Sequence, residues 1–299
     1  MSRILSVAAL LLLVFGIALT HRKIGNEFAF TEHYDTSHWA DLIHADGASE
    51  AYAQFKTTYA TSSDTHEAIH FMGDELYHAL GLQALSVCDD SFGYGCFHQV
   101  LMDALLEQGP HIIPDIERAC GALAASSSAC FHGTGHGLAE YYRSSLSSAL
   151  HACDYFSSRW RQICAGGVFM EHMVPLMAGG SIVSFDSTHP YAPCDSSVPA
   201  VTLGKCFYSL PHAWFSQRAH SVDDIIDLCA KASEQYRTQC YQGIGVDMPG
   251  FVSYDQNSIF RICASITKVE GKRACFKESI LTLKSLGKDA SVLRMLAQE

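Results

Sequence analysis

Apolar and polar positions along this chain repeat with the spacing of amphipathic helices, and the helices come in pairs. Tyr52, Phe55 and Tyr59 stand three and four residues apart, the polar stretch TSSD interrupts them, and a second helical run opens at Thr65. Further on, apolar segments such as IIDLC and IFRIC each run into a cysteine. A short polar connection follows, and another cysteine opens the next apolar segment. Twelve cysteines thereby form six pairs: Cys88/Cys96, Cys120/Cys130, Cys153/Cys164, Cys194/Cys206, Cys229/Cys240 and Cys263/Cys275. Their second members are 34, 34, 42, 34 and 35 residues apart, a period in the range of helical-hairpin repeats.

Between paired cysteines stand seven to eleven residues, whereas metal-binding knuckles place two to four there. Disulfides that pin the end of one helix to the start of the next are therefore expected within each unit, each adding about 2–3 kcal/mol. The predicted fold class is all-α: tandem helical hairpins in a solenoid, with an α/α toroid as the alternative, stapled by intra-unit disulfides. Residues 49–80 make a leading unit without cysteines, Asp64 standing where the others carry the second Cys. Residues 49–299 then form one repeat domain of about seven units. Helix starts follow capping chemistry: Ser221 with Asp224 ahead of IIDLC, Pro114 in a first turn, Asn257 before SIFRIC. The long 42-residue spacing contains MAGGSIVSFDSTHPYAP, an inserted loop near Gly179 to Pro193, and the stretch after Cys275 is suited to closing the core.

The N-terminus changes the picture of where such a chain works. Met1–Arg3 is a short basic start, and Ile4–Thr20 is mostly apolar, followed by His21, Arg22 and Lys23. Residues 1–23 are read as an uncleaved membrane anchor, with a signal peptide as the alternative, and residues 24–48 as a stalk or irregular cap. Either reading exports the rest, and paired cysteines fit an oxidising periplasmic or extracellular location. Hydrophobic residues make up 48% of the chain, enough for a continuous core, and a net charge of −11 argues against nucleic acid as a partner.

Candidate chemistry emerges when the units are registered on the second Cys. Two positions after it stand His66, His98 and His132 in the first three units, and six after it stand His70, Met102 and His136. Ten after it stand Asp74, Leu106 and Glu140. The first and third units thus offer His, His and a carboxylate at i, i+4 and i+8, on one face of one helix. Two such imidazoles can share a metal with a ligand from a neighbouring helix, for which His98 is placed. His66, His70, His98, His132 and His136 are the expected ligands of a zinc or copper centre. Asp74 and Glu140 are expected to bind, to orient an imidazole or to move protons, and Glu67 to move protons. Met170, Glu171 and His172 could extend the site but read as core, and His212 shares the register at a distance that demands strong curvature. Gly133, Gly135 and Gly137 interleave with the third unit's histidines, either for close helix packing or to give a ligand access.

Two resemblances bear on this. HEAIH at His66–His70 resembles the HExxH motif of zinc peptidases, which implies Glu67 as general base, but Leu76 occupies the place of the third histidine and His78 lies two residues late. Over residues 49–285 the hairpin period and bracketing cysteines resemble tetratricopeptide and Sel1-like repeats, in architecture only. That resemblance implies a curved array whose concave face binds a protein or peptide. The leading expectation is an exported protein with a histidine-rich metal centre, with metal-dependent catalysis as one use of it. A non-catalytic repeat scaffold is the alternative, and an HExxH zinc peptidase the second alternative.

Overall fold

The structure is a computed structural model that describes residues 35–60, 65–143, 145–177, 188–194, 198–216 and 221–297. The apolar stretch Ile4–Thr20, Asp64 and most of the inserted loop lie outside these residues. Thr36–Glu299 group into one compact unit.

Fourteen α-helices and no strand occur among the described residues. They are α1 (Thr36–Asp46), α2 (Ala48–Tyr59), α3 (Thr65–Leu80), α4 (Gly95–Gln108), α5 (Ile113–Ala122), α6 (Ser127–Tyr141) and α7 (Leu146–Ala152). There follow α8 (Ser158–Met177), α9 (Leu203–Ser216), α10 (Val222–Lys231), α11 (Arg237–Phe251), α12 (Gln256–Ser265), α13 (Val269–Ser285) and α14 (Ser291–Leu296). The longer helices α3, α4, α6, α8, α9, α11 and α13 pack in that order, each on the next, as an inner file. The shorter α5, α7, α10 and α12 pack outside α6, α8, α11 and α13 respectively.

All six expected disulfides are present: Cys88–Cys96, Cys120–Cys130, Cys153–Cys164, Cys194–Cys206, Cys229–Cys240 and Cys263–Cys275, with Cα–Cα separations of 5.4 to 5.8 Å. Each joins the end of an outer segment to the first turns of an inner helix. As the sequence indicated, the second cysteine lies at the start of its inner helix: Cys96 in α4, Cys130 in α6 and Cys240 in α11 stand inside the first turn, and Cys164 in α8 and Cys275 in α13 a turn further in. Cys96, Cys130, Cys164, Cys206, Cys240 and Cys275 are all fully buried, so these sulfurs serve as core and staple together.

What sets the spacing of the inner helices is glycine. A Cβ on Gly135 of α6 would lie 2.0 Å from the Cys164 carbonyl oxygen, and one on Gly167 of α8 would lie 2.0 Å from the His132 carbonyl oxygen. These two backbones therefore touch, and close packing accounts for glycines that each cost about 1 kcal/mol of helix propensity against Ala. On the other side of α6, Cβ atoms on Gly133 and Gly137 would meet the carbonyl oxygens of Phe97 and Leu101 in α4 at 2.9 and 2.7 Å.

The inner file curves back on itself. Helix α13 packs against the 3-10 turn Ser91–Tyr94, which leads into α4, so the seventh inner helix meets the junction of the first two. A Cβ on Gly93 in that turn would sit 3.0 Å from the His66 Nδ1 and 3.5 Å from Leu286. Of the two architectures the sequence left open, these contacts favour the toroid.

Two local expectations change. Thr36–Asp46, within the stretch read as a stalk or irregular cap, is a regular helix whose Trp39 is 5% exposed and stacks edge-on against Phe55 of α2 at 5.0 Å, covering the first hairpin. The cap of α12 is Asp255, whose side chain accepts from the Ser258 N–H, two residues before the expected Asn257. The capping box at Ser221 and Asp224 forms as expected, and Pro114 sits in the first turn of α5. No helix among the described residues is long and apolar enough to cross a membrane.

Candidate metal centre

Curvature brings together what the register had only aligned. His66 and His70 project from α3, His98 from α4, and His132 and His136 from α6. The ring centres of His66 and His70 lie 5.5 and 5.8 Å from that of His98. Those of His132 and His136 lie 5.6 and 4.3 Å from it, the last pair stacked. Two sets result, His66/His70/His98 and His98/His132/His136, and within each the candidate ligand atoms all lie within 4.8 Å of one another. His98 belongs to both.

The rings are aimed as ligands would be. His66 Nδ1 donates to the Phe92 carbonyl at 2.7 Å, and His136 Nδ1 donates to Glu171 Oε2 at 2.7 Å. His70 Nδ1 lies 3.0 Å from Gln99 Oε1; because the Gln99 amide nitrogen donates to Asp103, its oxygen faces the ring, and His70 must be the donor. The Ile163 carbonyl does the same for His132. Each proton is thereby held on the outward nitrogen, and the Nε2 atoms face each other: 3.4 Å between His66 and His70, 3.2 Å between His132 and His136. Two lone pairs directed at each other repel unless a proton or a metal ion lies between them. His98 Nε2, in a residue only 3% exposed, is buried with no hydrogen-bond partner, at a cost of about 1–3 kcal/mol if nothing binds it.

Burial decides the protonation states. It lowers the pKa of His70 to about 3, helped by the neighbouring His66, and that of His132 to about 3, helped by His136 and Lys205. His98 is held well below the ordinary value by burial and by the surrounding histidines. His66 is lowered by burial against the opposing pull of the Phe92 carbonyl. Neutral imidazoles can take a metal without first losing a proton. Cys96 and Cys130 stand two residues before His98 and His132, as Cys240 does before Gln242, but their sulfurs are consumed in disulfides and none is a ligand. A set of imidazole nitrogens without thiolate or carboxylate suits zinc or copper, and three such ligands leave one coordination position open.

The carboxylates expected to serve these rings are elsewhere. Glu67 is exposed while His66 and His70 turn inward, Leu76 is in the core, and His78 is an exposed partner of Asp74 at 3.5 Å. Peptidase chemistry of the HExxH kind is thereby left without its general base. Glu140 pairs with Arg143. Asp74 stands further back, sharing a hydrogen bond with Asp103, whose carboxyl burial raises to about 6 against the Gln99 hydrogen bond, with Asp74 adding to the rise. Asp103 Oδ2 is buried and meets no donor unless one of the two carboxyls holds a proton.

The residues that do serve the rings also follow the register; of them the sequence singles out only Glu171, which reads there as core. Seven positions after the second Cys stand Asp103, Glu171 and Asp247, each one unit after His70, His136 and His212. Glu171 accepts from His136 directly, Asp247 pairs with His212 Nδ1, and Asp103 reaches His70 through Gln99. The array thus carries a longer period of two units. In its third instance Tyr208 replaces the first histidine, and His212, whose burial alone would lower its pKa, is instead raised by Asp247. His212 interacts electrostatically with His66 and Glu171 and so faces the same interior. Glu171, which burial would raise, is lowered chiefly by its hydrogen bond to His136.

No protein-family model, curated protein or solved structure matches the chain. The resemblance to tetratricopeptide and Sel1-like arrays therefore has no match behind it, and function rests on the site itself.

Proposed function

We propose that this protein is an exported metalloprotein in which the two histidine sets around His98 hold zinc or copper and use it for catalysis. The observation that carries this is His98: a buried imidazole with an unpartnered Nε2, flanked by two pairs of inward-facing Nε2 atoms whose other nitrogens are all engaged. A structural role would leave those nitrogens paired. Six disulfides favour an oxidising, extracytoplasmic compartment, which supports the exported part of this reading. Attachment to the membrane through Ile4–Thr20 is part of the same proposal.

Bound at an open three-nitrogen site, such a metal lowers the pKa of a coordinated water or polarises a substrate oxygen. The chain's own contribution is orientation and proton handling. Phe92, Gln99, Ile163 and Glu171 fix which nitrogen of each ligand is free. The His212–Asp247 pair, with its Nδ1 engaged, has Nε2 left to accept or return a proton.

Metal analysis of the oxidised full-length protein tests this. Bound zinc or copper that is lost on replacing His132 and His136 by Ala, with helicity unchanged, is the expected result. Protein that folds and binds neither metal would overturn it in favour of a non-catalytic scaffold.

A further inference from the structure

Lys205 is the charged group that the metal centre does not explain. It lies in the first turn of α9, one residue before Cys206, and its stem runs past the gap left by Gly166, where a Cβ would meet His132 Nδ1 at 3.5 Å and the Lys205 Cδ at 3.6 Å. Its ammonium sits over the Tyr208 ring, 5.3 Å from the ring centre. Among the described residues it makes no ion pair with a carboxylate. The carboxylate whose field reaches it, Glu278, accepts from the Gln242 amide at 3.1 Å. Glu171 and Asp247 are each engaged by an imidazole.

Charge accounting then shows a deficit. His98, His132 and His136 are three imidazoles, which bring no negative charge to a divalent ion, and Lys205 adds a further cation beside His132. Partly buried positive charges this close demand a counter-charge or they are expelled or neutralised. Glu278 offsets part of it from a distance, but among the described residues no carboxylate is paired directly with Lys205. The polar groups that remain uncommitted on the same face of α9, at positions 205, 208 and 212, are the Lys205 ammonium, the Tyr208 hydroxyl and the His212 Nε2. Spacings of three and four residues put all three on one side of the helix.

We propose that the natural ligand of this centre is a small carboxylate, with one oxygen on the metal held by His98, His132 and His136 and the other paired with the Lys205 ammonium and the Tyr208 hydroxyl. This rests on the metal-centre reading and adds the class of molecule that the centre takes. Lys205 is a recognition residue here: it sets affinity for the anion and leaves metal binding alone.

Cobalt(II) loaded into the full-length, oxidised protein supplies a visible spectrum that changes when an anion joins the metal, and acetate and azide are the probes. Wild-type protein is expected to show saturable changes with both. Lys205→Met should weaken acetate at least tenfold, with cobalt stoichiometry and far-ultraviolet circular dichroism unchanged, while Lys205→Arg stays within threefold of wild type. Tyr208→Phe, which removes only the hydroxyl, should weaken acetate by a smaller factor. An acetate affinity in Lys205→Met within twofold of wild type, or cobalt-loaded protein that ignores both anions, would overturn the carboxylate proposal and leave the metal centre standing. Failure to bind cobalt at all would remove both.

Discussion

His136 Nδ1 donates to Glu171 Oε2 at 2.7 Å across 35 residues of sequence, and the same relation, at the same separation, joins His212 to Asp247. An imidazole six residues after one staple is held by a carboxylate seven residues after the next. The recurrence makes the carboxylate part of the array's design, and it gives the centre an outer layer whose removal is measurable.

Replacing Glu171 by Ala should weaken metal binding about 10–100-fold, the usual loss when the group behind a ligating histidine is removed. Glu171→Gln, which still offers an oxygen acceptor, should lose less. Competition with a chromogenic chelator measures both, and equal affinity across the three proteins would show that Glu171 does not orient His136.

His98 separates a ligand from a structural residue by the sign of a stability change. Removing a buried nitrogen that has no partner relieves a penalty, and leucine fills most of the space, so metal-free His98→Leu should melt at or above the wild-type temperature. The same variant should lose metal from both sets. A fall in metal-free stability of about 2 kcal/mol or more would mark His98 as an ordinary core residue.

Metal-free protein should become less stable as pH falls from about 6.5 toward 3. His70 and His132 have folded pKa values of about 3 against an ordinary 6.5. Over that window the unfolded chain binds protons that the folded chain refuses, so stability present above 6.5 is lost on acidification. Thermal melts of the disulfide-intact protein at pH 7.5, 5.5 and 4.5 should show a declining midpoint, and a flat profile would contradict the buried, neutral assignment.

Two glycine substitutions should have opposite signs. Gly135→Ala places a methyl 2.0 Å from the Cys164 carbonyl oxygen and forces α6 from α8, a loss of several kcal/mol. Gly121→Ala in α5 meets nothing within 4 Å and should stabilise by about 0.4–1 kcal/mol. Urea unfolding of the two variants, disulfides intact, measures the difference.

Much of this was legible in the chain because cysteine spacing is a local signal: each pair spans one helix junction, so the register, the hairpins and the five inward histidines followed from counting. Curvature was not. It depends on how far each hairpin rotates against the next, and that is set by backbone contacts such as Gly135 against Cys164, which have no partner label in the sequence. The same gap hid the acceptors. Asp74 lies on the face of its own helix that carries His66 and His70, but a ring pointing away from a helix has its outward nitrogen met by the neighbouring helix, where Gln99 and Glu171 stand. The recurrence of Asp103, Glu171 and Asp247 was countable, but reading it required knowing that adjacent inner helices touch.

The turn that supplies the Phe92 carbonyl to His66 is braced by α13, some 180 residues later. A chain emerging in order can close every disulfide before the last and still lack that brace. The His66/His70/His98 set is therefore completed last: if it holds metal as proposed, capture there waits on docking of the final hairpin, and a prematurely ended chain would be oxidised and helical with that set incomplete.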